Sequence, residues 1–389
     1  MSPTVTDSQQ LDTLPCQREL FDIPHGITYL NCAYLGPHLR AATKAGLEAV
    51  TANSFPWKRT AANWFTGAER LRGLAARLMN ARADSVALVP AVSYGIAIAA
   101  ANVPVKPGQS IVLLENQFPS NYYAWQALAR RTGAAIRTVK RGSDGTWTDA
   151  VLAAIDRETA VVAVPNCHWT DGSLVDLRRV SQRARAVGAA FVVDASQSLG
   201  VYPLDVEELQ PDFLASVGYK WLLGPYGLAY LYAAPRWQSE GTPIEYSWVT
   251  RLGSENFSRL DYVDGFQPGA RRFDMGEYSQ FTTVPIATAA LEQILEWGVE
   301  RIQRSLAPLT RLIQEGAEKL GGTALPERHR VGHLVGIRLR PDLTAGIAQK
   351  LTAAGIYVSV RGDVIRVAPN VYNDRSDIET LLSAMQGRD

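Results

Sequence analysis

The chain has 389 residues, of which 47% are hydrophobic and 20% are charged. A chain of this length and composition buries a large core in about two or three packed units and is too apolar to be disordered. The 39 lysines and arginines nearly balance the 38 aspartates and glutamates, which leaves a formal charge of +1. This balance argues against nucleic acid or an anionic membrane as the partner, because both attract proteins with a basic excess.

The cysteines and the first residues of the chain indicate the cellular compartment of the protein. Three cysteines, Cys16, Cys32 and Cys167, are odd in number and far apart, so we expect no disulfide framework and a reducing environment. Residues 1–12 lack a basic start followed by an apolar block, and the apolar stretch at 91–105 is too short and interrupted to span a bilayer. The sequence therefore predicts a soluble cytoplasmic protein.

Short β-rich runs alternate with helical segments through the first two thirds of the chain. The predicted strands are Ser110–Leu114, residues 160–164, residues 190–193, Phe213–Val217 and residues 228–232, and the predicted helices include residues 120–131 and 174–187. This alternation predicts an α/β fold, with a mostly parallel sheet that is covered by helices on both faces. The run at 190–193 is continuously apolar, as expected of a strand that is buried on both sides.

The pattern changes after about residue 284. A single long helical stretch at 286–319 is followed by a strand at 334–339, a helix at 343–354, strands at 356–360 and Val364–Val367, and a final helix. This order predicts a smaller α+β domain. We therefore divide the chain into a large α/β domain at 30–285 and a smaller domain made of residues 1–29 and 286–389.

Motifs of several large enzyme classes are absent from the sequence. There is no Walker-type loop, no Gly-x-Gly-x-x-Gly after the first strand, no His-Glu-x-x-His and no Gly-x-Ser-x-Gly. His329 and His333 have the spacing of two metal ligands on a helix, but Gly332 and the strand-like neighbours disfavour a helix there. We therefore predict no metal site.

Two polar residues follow predicted strands, where ligands of open α/β sheets bind. Asp194 comes directly after a buried strand, and a carboxylate in that place needs a cationic partner, although a helix cap or loop aspartate is an equal alternative. Lys220 stands among aromatic and apolar residues. Burial would lower its pKa and make the amine a Schiff-base nucleophile, whereas the alternative is an exposed loop lysine.

Two further features complete a constellation. Ser93 and Gly95 open an alanine-rich helix whose free N–H groups suit a phosphate, although Ser93 could equally be a plain N-cap. Arg366 lies between apolar neighbours in a strand, where it could bind a substrate carboxylate or form a structural ion pair. Together with Asp194 and Lys220, these are the parts that pyridoxal 5′-phosphate (PLP) enzymes supply.

The order of these segments resembles the class V aminotransferase branch of fold-type I PLP enzymes, which includes cysteine desulfurases, isopenicillin-N-epimerase-like proteins and kynureninases. The most specific pieces are Asp194-x-x-Gln197, the stretch from Tyr219 to Pro225, and Arg366 to Asn373. The resemblance implies a large domain with a mostly parallel sheet, a smaller C-terminal domain, PLP as the cofactor and a homodimer. In family dimers the loop that matches residues 271–276 reaches the neighbouring subunit's site.

The resemblance also implies the roles of individual residues. Lys220 would form the Schiff base with PLP and serve as the catalytic base, and Arg366 would bind the α-carboxylate. The implied cofactor residues are Ser93, Tyr94, Gly95, Phe118, Trp169, Asp194, Gln197, Ser216, Tyr219 and Lys220. The side-chain pocket is expected to include Asn31, Tyr34, Trp57, Trp169, Tyr219 and Arg361.

Departures from the family narrow the expected chemistry. No cysteine occurs after Cys167, and residues 361–364 are too few for the loop that carries a desulfurase thiolate, so we predict no persulfide-forming desulfurase. We expect transamination or β-elimination of a small amino acid. Epimerisation by the same core residues is an alternative, and two rivals of other classes are a catalytically silent PLP-fold binding protein and a nucleotide-binding α/β enzyme.

Overall fold

The structure is a computed structural model that describes residues 13–142, 146–340 and 346–386. The strands are β1 (Thr28–Tyr29), β2 (Val86–Val89), β3 (Ser110–Leu114), β4 (Ala135–Val139), β5 (Thr159–Pro165), β6 (Ala190–Asp194), β7 (Phe213–Val217), β8 (Ala229–Ala233), β9 (Thr323–Ala324), β10 (Val335–Arg338), β11 (Ile356–Tyr357), β12 (Ser359–Arg361) and β13 (Val364–Val367). The α-helices are α1 (Arg40–Asn53), α2 (Thr66–Leu78), α3 (Val92–Asn102), α4 (Tyr123–Thr132), α5 (Thr148–Ala154), α6 (Leu177–Val187), α7 (Val206–Leu209), α8 (Pro235–Glu240), α9 (Thr283–Trp297), α10 (Val299–Lys319), α11 (Ile347–Ala353) and α12 (Arg375–Gln386).

A seven-stranded sheet in the order β2-β8-β7-β6-β5-β3-β4 forms the centre of the large unit. Strands β3 to β7 run parallel, whereas β8 is antiparallel to both β7 and β2. Val192 packs in an apolar cluster with α3 and α4, and Val193 packs in another with α2, α6 and α9. Because successive residues of a strand point to opposite faces, this sheet is covered by helices on both sides, as predicted.

The smaller unit contains an antiparallel sheet in the order β12-β13-β10-β9, and a two-stranded parallel pair joins β1 to β11. Its own apolar cluster includes Ile313 of α10, Ile365 of β13 and Ile378 of α12, together with Leu30 from the start of the chain. The predicted fold class, a mostly parallel sheet with a smaller α+β unit, is confirmed. The division at residues 29/30 and 285/286 stays a prediction.

Two predicted elements are wrong in detail. The helical stretch at 286–319 is two helices, because Gly298 adopts a φ of +79° between α9 and α10 and so breaks the helical path. The strand at 356–360 is also two strands, because β11 pairs with β1 whereas β12 pairs with β13. The first residues of the helix predicted at 343–354, like residues 1–12, lie outside the described part of the chain. Within the described ranges, no helix is both long enough and apolar enough to cross a bilayer.

A buried ion pair anchors the segment at 271–276. Both Asp274 oxygens accept hydrogen bonds from Arg72 of α2, at 3.0 and 2.8 Å, and Asp274 Oδ1 also accepts the Leu88 N–H at 2.7 Å. Arg72 and Asp274 are fully buried. This contact fastens the segment to the edge strand β2. Its predicted reach into a neighbouring subunit stays a prediction.

The substitution Asp274→Asn is expected to lower the free energy of unfolding by about 3 kcal/mol, because it leaves the buried Arg72 charge with only one anionic partner, the partly exposed Glu69 at 3.0 Å. Chemical denaturation measures this change. Asp22→Asn is the matched control, since Asp22 pairs with Arg40 but its side chain is 71% exposed; there we expect a loss of less than about 1 kcal/mol. Equal losses in the two variants would contradict the structural role given to Asp274.

Candidate active site

Lys220 lies in the turn between β7 and β8, at the carboxyl edge of the large sheet. The side chain is 7% exposed, and its Nζ is 5.2 Å from the centroid of the Phe118 ring. Burial lowers the pKa of Lys220 to about 8, and the negative charge of Asp194 partly opposes this shift. Lys220 is therefore a buried amine, and the alternative of an exposed loop lysine is wrong.

The chain near residue 36 packs directly on this turn. The Gly36 N–H donates to the Tyr219 carbonyl at 2.8 Å, and a Cβ at position 36 would collide with the carbonyl oxygen of Lys220. Only a glycine permits so close an approach of two backbones. This contact was not predictable from the sequence, because an isolated glycine in a loop carries no signal of its partner.

Asp194 is the last residue of β6 and is nearly fully buried. Its Oδ1 accepts hydrogen bonds from the Ser196 N–H at 3.0 Å and the Ser196 Oγ at 2.6 Å. Burial raises the pKa of Asp194, while these hydrogen bonds and the Lys220 charge oppose the rise. The carboxylate would therefore be stabilised by a cation placed beside it.

Lys220 and Asp194 line one small cleft. Its other lining residues are Gln117, Phe118, Pro165, Cys167, Trp169, Ser196 and Gln197. The structure thus brings five predicted residues together, namely Phe118, Trp169, Asp194, Gln197 and Lys220. Gln117, Pro165, Cys167 and Ser196 were missed as site residues, although Pro165 ends β5 and the carboxyl edge of a parallel sheet is where such residues are expected.

Aromatic rings and a buried amide fix the shape of the cleft. The Phe118 and Trp169 rings meet edge to face with centroids 5.5 Å apart, and the Trp169 Nε1–H donates to the Asn116 carbonyl at 2.8 Å. Gln197 accepts the Trp221 Nε1–H at 2.8 Å and donates to the Ala33 carbonyl at 3.1 Å. These contacts position Phe118, Trp169 and Gln197 around the cleft.

Arg366 projects from β13 and is only 2% exposed. Its Nη1 donates to the Trp169 carbonyl at 2.9 Å, its Nη2 lies 3.4 Å from Ser359 Oγ, and its Nε has no hydrogen-bond acceptor among the described residues. Burial, followed by the charge of Arg361, lowers the pKa of Arg366 to about 9. No carboxylate of the described chain lies within ion-pair distance, so the structural ion pair is wrong and the guanidinium can receive an anion.

The other predicted pocket residues differ in their placement. Asn31 is buried and accepts a hydrogen bond from the Ser359 hydroxyl at 2.8 Å, and the same hydroxyl lies 3.4 Å from Arg366 Nη2. Arg361 lies across the Trp169 ring, with its Cζ 5.8 Å from the ring centroid. Tyr34 is 58% exposed and Trp57 is 75% exposed, so neither contributes to the cleft within this single chain.

The predicted phosphate cradle is the start of α3. Ser93 is exposed there, whereas the Tyr94 and Gly95 N–H groups both donate to the Ala91 carbonyl, at 3.1 and 3.2 Å. The first N–H groups of a helix have no intrahelical acceptor, so those of Val92 and Ser93 are better placed for an anion. The Tyr94 hydroxyl is also engaged, since it donates to the Glu245 carboxylate at 2.8 Å.

Three further predicted positions have structural contacts. The buried Ser216 hydroxyl lies 3.3 Å from the carbonyls of Ala195 and Val217, and the Tyr219 ring packs on Tyr226 with centroids 4.6 Å apart. The His333 Nε2–H donates to the Gln197 carbonyl at 2.7 Å, and burial lowers the pKa of His333 to about 3. Among the described residues, no group of three or more potential metal ligands occurs.

Comparison with known proteins gives consistent matches. The sequence profile described as Aminotransferase class-V matches residues 50–381. The uncharacterized aminotransferase YcbU of Bacillus subtilis is 30% identical over 333 residues, which cover 84% of this chain and 86% of that protein. The isopenicillin N epimerase of Streptomyces clavuligerus is 26% identical over 328 residues, which cover 80% of this chain and 81% of the epimerase.

The fold has a counterpart among solved structures. The apo structure of a cysteine desulfurase from Thermococcus onnurineus NA1 superposes with a TM-score of 0.84 and 21% sequence identity, over 95% of this chain and 96% of that one. Such a superposition at low identity shows that the two proteins share a fold.

Proposed function

Since this chain belongs to the class-V aminotransferase family, we propose that it is a PLP-dependent enzyme that removes the Cα proton of a small α-amino acid, leading to transamination or β-elimination. The observation that carries the proposal is the buried Lys220 amine, with a pKa of about 8, in one cleft with Asp194. Groups that exchange protons near neutral pH in a cleft are typical of active sites.

The residues of the cleft fit the cofactor. Asp194 would hold the protonated ring nitrogen, because a cation is what its buried carboxylate requires. Phe118 would pack against the ring, and the start of α3 would hold the phosphate. Bound there, PLP supplies an aldehyde for the Lys220 amine and an electron-withdrawing ring that stabilises charge at Cα.

Lys220 and Arg366 would have different roles toward the substrate, proton transfer and carboxylate binding. Arg366 is a buried cation with an unused Nε–H, and an α-carboxylate would give it the charged acceptor that the described residues do not provide. Lys220 would then take the Cα proton, because its lowered pKa leaves part of the amine neutral near physiological pH. The atom to which the same amine returns the proton would decide the class of product.

Epimerisation is the second candidate, since the chain is 26% identical to an isopenicillin N epimerase. Inversion needs a proton delivered to the face of Cα opposite Lys220. Of the cleft residues, Cys167 carries a transferable proton, but burial raises its pKa to about 12. This favours reactions in which a single base, Lys220, handles the proton.

We propose further that the enzyme is not a persulfide-forming desulfurase. Cys32 and Cys167 are buried, and burial raises the pKa of each to about 12, so neither supplies a thiolate near neutral pH. Cys16 lies near the start of the chain, and only two residues, 362 and 363, separate β12 from β13. The raised pKa of Cys167, the one thiol among the described lining residues of the cleft, supports this part of the proposal.

A cytoplasmic homodimer remains part of the proposal. Large apolar side chains are exposed on this chain, including Trp57, Trp248, Leu260 and Tyr262. Exposed aromatic residues in such number are typical of protein interfaces. The measured mass in solution tests the dimer.

The experiment that tests the proposal is PLP loading followed by borohydride reduction. We expect an absorbing, PLP-bound protein whose reduced adduct maps to the peptide that contains Lys220. A panel of amino acids then separates the reactions by product: keto acid, released β-fragment or inverted stereoisomer. A colourless protein that PLP leaves unchanged would support the silent binding protein instead, and stabilisation by NAD or ATP alone would support the nucleotide-binding enzyme.

The rate of PLP uptake is expected to depend on pH through Lys220. Only the neutral amine attacks an aldehyde, so with a pKa of about 8 the rate should rise about tenfold per pH unit up to that pH and then level off. Stopped-flow absorbance measures this rate, with free N-α-acetyllysine as the matched control. In Asp194→Asn the midpoint should fall, because the Asp194 charge favours protonated Lys220. A midpoint near that of the free lysine would contradict the buried amine.

A further inference from the structure

The register of the small sheet places two arginines on one face. In the antiparallel pair β12–β13, Ser359 lies opposite Arg366 and Arg361 lies opposite Val364. Because side chains alternate along a strand, Arg361 and Arg366 project to the same side, as diagonal neighbours about 7–8 Å apart. The sheet therefore brings two guanidinium groups together on one face.

Neither guanidinium is neutralised by the described chain. Among the described residues, Arg366 bonds only to the Trp169 carbonyl and, more weakly, to the Ser359 hydroxyl. Arg361 Nη1 donates to the carbonyl of its neighbour Val360 at 2.9 Å. Within the described ranges, no carboxylate forms a salt bridge with either one. Two like charges on one sheet face repel each other, and an anion placed between or beside them would relieve this cost.

Both arginines contact Trp169, a lining residue of the cleft that contains Lys220. Arg361 lies across the indole of Trp169, and Arg366 bonds to the backbone of the same residue, which lines the cleft with Lys220. The charges of Arg366 and Arg361 also act on the Lys220 amine, which places all three cations within electrostatic reach of one another. Against them, Asp194 is the one carboxylate among the described residues that line the cleft.

We infer that Arg361 binds a second acidic group of the substrate, so that the enzyme acts on amino acids with an anionic side chain, such as dicarboxylic amino acids. This inference rests on the proposed function, in which Arg366 takes the α-carboxylate and Asp194 takes the ring nitrogen. A single α-carboxylate then leaves the Arg361 charge without a partner. A second carboxylate on the substrate side chain supplies one, and Trp169 offers a flat apolar surface for the methylene groups between them.

The first test needs neither cofactor nor turnover. Succinate and glutarate are added to the PLP-free protein, with butyrate as the monocarboxylate, and binding is measured by calorimetry. We expect the better dicarboxylate to bind at least about tenfold more tightly than butyrate, because it forms a second charged contact. Arg361→Gln should abolish this difference and still bind butyrate. Arg338→Gln, on β10 of the same sheet, should leave it unchanged.

The second test compares kcat/KM in the PLP-loaded enzyme for aspartate and glutamate against alanine and 2-aminobutyrate. Arg361→Gln should lower kcat/KM about 10- to 100-fold for the acidic substrates and less than about threefold for the neutral ones. Equal losses for both classes would mean that Arg361 shares the α-carboxylate with Arg366 and would overturn the inference. So would a wild-type preference for neutral substrates, even though the proposed function would survive it.

The two proposals fail in different ways. If the protein takes up no PLP but still binds succinate or glutarate more tightly than butyrate through Arg361, the proposed function is contradicted. The anion site at Arg361 is then still supported. If the protein loads PLP on Lys220 and binds butyrate as tightly as the dicarboxylates, only the inference about Arg361 is contradicted.

Discussion

Lys220→Ala is expected to lower kcat by about 10⁴-fold, the upper range for removal of a catalytic proton-transfer group. The structure places no second amine in the described lining of the cleft, and Cys167 keeps its proton near neutral pH. Single-turnover kinetics with the purified variant, loaded with PLP, measures the loss. The variant should still bind PLP, because Asp194 and the start of α3 are unchanged.

A matched variant separates lost chemistry from lost packing. Lys220→Arg keeps a long cationic side chain but cannot give up its proton near neutral pH, so it should be as inactive as the alanine variant. Ethylamine added to Lys220→Ala should restore part of the rate, with a pH dependence set by the free amine. If Lys220→Arg retained more than about a tenth of wild-type activity, Lys220 would not be the base.

Arg366→Met is expected to raise the KM for amino acids about 100-fold or more, because the substrate carboxylate loses a buried charged partner. The effect should be small for amines that lack a carboxylate. Steady-state kinetics or spectral titration with matched pairs, such as alanine and ethylamine, measures the difference. Equal weakening of both ligands would remove the carboxylate role.

The same variant tests whether Arg366 is kept for function. Arg366 is buried, lacks a carboxylate partner among the described residues and has an unused Nε–H, so methionine should leave the free energy of unfolding unchanged or raise it by about 1–4 kcal/mol. Chemical denaturation measures this. Asp274→Asn, in contrast, removes one partner of a satisfied pair and should destabilise. Loss of binding without loss of stability would identify Arg366 as a binding residue.

The comparisons confirm the family and the fold that the sequence predicted, and the reasons lie in particular segments. Ser110–Leu114 and Phe213–Val217 were predicted with the bounds that the structure shows, because fully buried parallel strands are continuous apolar runs. The edge strand β4 was missed, since its residues are mostly half-exposed or exposed and carry no such run. The break at Gly298, which divides α9 from α10, was not predicted, because helical patterning lies on both sides of this single glycine.

Some residues of the candidate site were predictable from their chemical type and their position after a strand. Asp194, Lys220 and Phe118 are such cases, and they line one cleft. The surroundings of each side chain were not predictable. The sequence did not indicate that Tyr34 is exposed, or that the Tyr94 N–H donates to the Ala91 carbonyl.

The sequence by itself determined which segments alternate, which are buried and which reactive side chains stand at strand ends, because these properties depend on the order of neighbouring residues. Only the tertiary structure decided which charges meet. That Arg361 and Arg366 share a face, and that no described carboxylate reaches either, follows from the register of β12 on β13 and the packing on Trp169. Contacts between segments far apart in sequence are set by three-dimensional packing, and no local pattern encodes them.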